Sequence, residues 1–120
     1  MDRLTQRLED AARAVATLRE ILSEPPSIIV RDAAIKRFEY TFEATWKTAQ
    51  SYLGREGFDV ASPRSAVRTS LKAGLLDAEQ TTVHLYREAV AEQIWEHIPR
   101  HAKLLSRWID ALRSRVENAD

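Results

Sequence analysis

Leu4, Leu8, Ala11, Ala12, Val15, Leu18, Ile21 and Leu22 recur at intervals of three and four residues. Side chains spaced in this way stack on one face of an α-helix. The stripe predicts a helix over residues 4–22 with one buried face. Asp2 stands just before it, where a short carboxylate suits an N-cap. Pro25-Pro26 ends it, because proline lacks a donor and disfavours helix in the residue before it.

The same periodicity continues along the chain. A second and longest helix is expected from residue 28 or 29 to 53, with Ile35, Phe38, Phe42, Trp46, Ala49 and Leu53 on one stripe. Gly54 stands where a C′ glycine would, and a loop containing Gly57 follows. Ser62-Pro63 reads as an N-cap and N1 proline. They open a short third helix that carries Val67 and Leu71 and stops near Gly74. After a connection, a fourth helix is expected from Tyr86 or Arg87, carrying Ala89, Val90, Ile94, Trp95 and Ile98. Pro99 either kinks or splits it. The continuation holds Leu104, Leu105, Trp108, Ile109, Leu112 and Val116, and residues 115–120 are expected to fray. No alternating run of β-branched residues appears. The pattern predicts an all-α protein, an up-and-down four-helix bundle with one short helix, as a single domain over residues 1–120.

Composition narrows the function. Eighteen Lys and Arg balance eighteen Asp and Glu, whereas a dedicated nucleic-acid binder usually shows a basic excess. The absence of cysteine excludes a disulfide scaffold, a cysteine nucleophile and a thiolate metal site. The apolar runs are too short to span a bilayer, and the polar start of the chain lacks the apolar region of a secretory signal. A cytoplasmic protein is the simplest expectation. No Gly-rich phosphate loop, GxSxG elbow or EF-hand loop occurs, so no cofactor or metal is expected.

One stretch is more specific than a helix requires. Ile29-Val30-Arg31-Asp32-Ala33-Ala34-Ile35-Lys36-Arg37-Phe38-Glu39-Tyr40-Thr41-Phe42-Glu43-Ala44-Thr45-Trp46-Lys47 closely resembles the signature helix of the nucleotidyltransferase substrate-binding protein family. Ser62-Pro63-Arg64, Ala73-Gly74-Leu75-Leu76-Asp77 and His84-Leu85-Tyr86 resemble further family landmarks in the family's order. The resemblance covers roughly residues 4–112. It implies a HEPN-type bundle, typically dimeric, that partners a small, separately encoded nucleotidyltransferase carrying the metal and nucleotide chemistry. Some relatives resemble toxin–antitoxin pairs instead. In those the HEPN partner is a ribonuclease with an Arg ahead of its His, and a Tyr two residues past that His accepts a nucleotide. Here His84 and Tyr86 match, but the expected Arg and Asn are Glu79 and Gln80. The connection after Asp77 is also shorter than the family's by about three helical turns.

Each polar candidate carries two readings. Asp32, Glu39 and Glu43 share a face of the second helix, and Glu43 precedes Lys47 by four, the favourable order for an ion pair. They are either a solvated face or a wall that contacts the partner enzyme or its substrate. Phe38, Phe42 and Trp46 belong to packing. His84 and Tyr86 either cap and pack or take part in chemistry, and a nuclease would need a cation where Glu79 stands. His97 and His101, four apart across Pro99, are expected as a solvent-facing pair rather than metal ligands. Arg64, Arg68 and Lys72 form a short positive ridge, a solvated face by default and otherwise a contact for nucleotide phosphate or RNA.

Together with the resemblance, these readings lead to a non-catalytic, substrate-binding subunit of a two-component nucleotidyltransferase. Its expected substrate or partner contacts are Asp32, Arg37, Glu39, Glu43, Lys47, His84 and Tyr86. The expected partners are a second copy of the chain, a minimal nucleotidyltransferase, and nucleotide or a small-molecule substrate, without membrane or strong nucleic-acid binding. The alternative is a HEPN-type ribonuclease toxin with a degenerate motif, neutralised by a cognate nucleotidyltransferase.

Overall fold

The cap signals set where each helix begins. The Asp2 carboxylate accepts a hydrogen bond from the Thr5 N–H at 2.8 Å, satisfying one of the donors a helix start leaves open. Ser27 does the same for the Val30 N–H. Ser62 and Ser65 close a reciprocal capping box around Pro63. In the computed structural model, which describes residues 2–77 and 97–118, the helices are α1 (Arg3–Leu22), α2 (Ile28–Arg55), α3 (Pro63–Lys72) and α4 (Ile98–Glu117). No strand occurs among the described residues. This is the expected all-α four-helix bundle, with α3 as its short member. The expected helical start near Tyr86, with Ala89, Val90, Ile94 and Trp95, lies outside the described residues.

The helix ends correct the sequence reading in two places. Gly54 is not the C′ residue: α2 runs on to Arg55, and Gly57 takes that role with φ of 93°. The Phe58 N–H returns to the Leu53 carbonyl at 2.9 Å and the Gly57 N–H to Gly54 at 3.2 Å, the paired bonds of a Schellman motif. Gly74, at φ 79°, closes α3 in the same way, with Leu75 N–H bonded to the Ser70 carbonyl at 2.8 Å. The second correction concerns the fraying expected over residues 115–120, of which 119 and 120 lie outside the described residues. α4 holds its form to Glu117 because Arg115 donates to the Ala73 carbonyl at 2.8 Å and Val116 packs against the core. Pro99 sits in the first turn of α4, where its missing N–H would be unsatisfied anyway.

The core lies where α4 covers the α1–α2 pair. Phe38 and Phe42 are buried and stacked, with centroids 6.2 Å apart, while Trp46 is half-buried at the edge. The packing reading of this stripe therefore holds. Thr41, Thr45 and Thr48 are also fully buried. Their hydroxyls donate to the carbonyls of Arg37, Thr41 and Ala44 at 2.6–2.7 Å, so none of the three is left unmet.

The expected solvent-facing histidine pair is half wrong. His101 is 1% exposed and lies against the Phe38 ring, 5.8 Å between centroids. It falls on the same face of α4 as Ile98, Leu105, Trp108 and Leu112, and that face is the buried one. His97 is half-buried beside it.

Three polar ties hold α1 antiparallel to α2. Arg55 reaches Asp2 at 3.1 Å, Thr48 shares the proton it gives to Ala44 with the Arg7 carbonyl at 3.2 Å, and Arg37 donates to the Thr17 carbonyl at 2.8 Å.

Candidate functional site

A cleft of about 270 Å³ opens between α1 and α2. Arg7 and Asp10 form one wall; Tyr40, Glu43, Ala44 and Lys47 form the other. The second wall follows from helical spacing, since residues 40, 43, 44 and 47 lie on one face.

Within the cleft, Lys47 donates to Glu43 at 2.8 Å, the i, i+4 pair expected from the sequence. Both side chains remain substantially exposed, so the pair contributes only a few tenths of a kcal/mol. Asp10 pairs with Arg13. Tyr40 is 59% exposed, large for an aromatic side chain. The Arg7 Nε is buried and has no hydrogen-bond partner among the described residues. A buried donor left unmet costs free energy, and an acceptor brought into the cleft would relieve it. The walls carry two cationic and two anionic side chains, so the cleft suits a polar ligand bearing both donors and acceptors.

The expected contacts divide. Glu43 and Lys47 line the cleft. Asp32 and Glu39 are exposed on α2 and do not line it. Arg37 is tied to the Thr17 carbonyl and holds α1 to α2. His84 and Tyr86, like Glu79 and Gln80, lie outside the described residues. Sequence reasoning misses Arg7 and Asp10, because the apolar stripe of α1 dominates its pattern. The available signal is two opposite charges three residues apart on the shoulder of that stripe.

Arg64, Arg68 and Lys72 stand along α3 and all three are exposed, in keeping with a solvated ridge. Among the described residues, no group of three or more His, Asp or Glu is placed to hold a metal ion. No helix among them is long and apolar enough to cross a membrane.

A crystal structure of a protein from Thermus thermophilus superposes with a TM-score of 0.70 at 42% sequence identity, covering 86% of this chain and 98% of that one. No curated protein matches the sequence significantly. The family model described as nucleotidyltransferase substrate binding protein like matches residues 6–114. That span contains every helix among the described residues but the first three residues of α1 and the last three of α4, and the chain belongs to this family.

Proposed function

We propose that this protein is the non-catalytic, substrate-binding subunit of a two-component nucleotidyltransferase. The family match over residues 6–114 carries the reading. Its mechanism is positional: this chain presents a polar surface, and a small partner enzyme brings the nucleotide and its metal. The α1–α2 cleft is the centre of that surface, supported by the unmet Arg7 donor and the exposed Tyr40 beside the Glu43–Lys47 pair. Asp32 and Glu39 extend it along α2, and Arg37 acts as a positioning residue through its bond to α1. His84 and Tyr86 complete the contacts on the strength of their match to the family landmarks. The chain works as a homodimer in this reading.

The test is co-expression of the full chain with the small nucleotidyltransferase of its native host, read by native mass spectrometry. A stoichiometric complex that weakens about tenfold in a Glu43→Gln, Lys47→Met variant is expected. A homodimer that never takes up the enzyme, under conditions that preserve weak complexes, would sink the reading. Incubation of the pure protein with RNA separates the alternative: cleavage lost in His84→Ala would establish a ribonuclease.

A further inference from the structure

Charge pairing in the α1–α2 cleft runs along the helices, not across them. The Asp10 carboxylate pairs with Arg13 on α1, and the Glu43 carboxylate pairs with Lys47 on α2. Arg7 lines the same cleft, yet its guanidinium is joined to neither carboxylate and has no hydrogen-bond partner among the described residues. Its Nε is buried, so the missing acceptor is not replaced by water.

Arg7 is therefore the donor that a ligand oxygen would satisfy. Of the two cations in the described lining, it alone lacks a carboxylate partner, and one guanidinium balances one negative charge. A carboxylate carries one charge and matches the planar fork of an arginine, whereas a phosphate carries closer to two.

Each wall also keeps an open acceptor. Gln6 and Arg13 both donate to Asp10 through Oδ1, and Lys47 donates to Glu43 through Oε1. Asp10 Oδ2 and Glu43 Oε2 accept nothing among the described residues. An ionised carboxylate accepts from several donors at once, so an added N–H joins either pair without breaking it. Glu43 is the more open of the two, with its side chain 60% exposed, and it shares its wall with the exposed ring of Tyr40.

We infer, resting on the subunit reading above, that this cleft takes a small zwitterion, an α-amino acid with an aromatic side chain. The carboxylate sits on Arg7, the ammonium on Glu43, and the ring against Tyr40, where aromatic faces pack well. At about 270 Å³ the cleft lies just below the usual range of small-molecule sites. In so small a space the two charges of the ligand stand close together, as they do on a single α-carbon.

The test is an amide NMR titration of the full chain with phenylalanine, with hydrocinnamate, which lacks the ammonium, and with phenethylamine, which lacks the carboxylate. Saturable shifts centred on Arg7, Tyr40, Glu43 and Ala44 are expected for phenylalanine, with a dissociation constant of about 1 mM and about tenfold weaker binding of each analogue. Arg7→Met should weaken phenylalanine about tenfold and leave phenethylamine unchanged. Glu43→Gln should weaken phenylalanine and leave hydrocinnamate unchanged. Arg7→Met removes an unmet donor, so its thermal melt should match or exceed the parent's, which separates lost binding from lost folding. Equal binding of phenylalanine by Arg7→Met and the parent chain would overturn the site, as would the absence of saturable shifts. A chain that joins the small nucleotidyltransferase but ignores phenylalanine would overturn this ligand class and leave the subunit reading standing.

Discussion

The indole Nε1 of Trp108 donates to the Ser70 Oγ at 3.1 Å, and both side chains are fully buried. This bond joins α4 to the end of α3 through the core. Removing one partner strands the other, which costs more than the bond itself contributes. Ser70→Ala should therefore destabilise the protein by about 1–3 kcal/mol, and Trp108→Phe should cost at least as much because it also leaves space. In a double-mutant cycle the two losses should fall short of additive. Full additivity in urea unfolding would show that the bond contributes nothing.

Two glycines should respond to alanine with opposite signs. Gly54 lies inside α2, and an added methyl there would meet no atom within 4 Å, so Gly54→Ala should stabilise by about 0.5–1 kcal/mol. Gly74 sits at φ +79°, and a Cβ there would meet the Arg115 guanidinium at 3.3 Å. Gly74→Ala should destabilise by about 1–2 kcal/mol, and thermal melts of the pair would reveal the contrast.

Acid should loosen the start of α1. The Thr5 backbone N–H first, and then the Arg55 guanidinium, hold the Asp2 carboxyl at about 2, below its ordinary 3.8. The folded value lies below the unfolded one, so the stabilisation is complete above the unfolded value and is lost as pH falls toward about 2. Asp2→Asn keeps a capping oxygen but cannot titrate. Its stability curve should be flatter than the parent's across that window, and coincident curves would rule out the linkage.

Phe38→Ala should cost about 3–5 kcal/mol, since the ring is fully buried between Phe42 and His101. Trp46→Ala should cost less, because that indole is only half-buried. Chemical denaturation of the two variants would rank them, and the reverse order would show that the edge of α2 carries the packing.

The stripes and caps make most of the fold readable. Leu4 through Leu18 and Phe38 through Leu53 follow helical period, and Asp2, Ser62 and Pro63 mark helix starts as local chemistry requires. The buried threonines of α2 are not readable, because a hydroxyl bonded to the carbonyl four back fits a buried or a solvated face equally well, and the packing of the other helices decides between them. His101 stands in register with Leu105, Trp108 and Leu112, so its burial is legible from spacing once its polarity is set aside. In the candidate site, Glu43 and Lys47 are legible from their spacing on one helix. Arg7 is not, since its place in the cleft comes from the approach of a second helix, which no local pattern encodes.

The ties at Asp2–Arg55, Arg7–Thr48 and Thr17–Arg37 are spread over most of the length of the α1–α2 pair. Neither helix can peel away from one end without breaking a cross-link and exposing the buried threonines. Amide protons at the middle of α1 and of α2 should therefore exchange with deuterium at matching rates, as one cooperative unit. The cleft between them would then be a permanent surface of that unit, open to solvent for as long as the two helices remain folded.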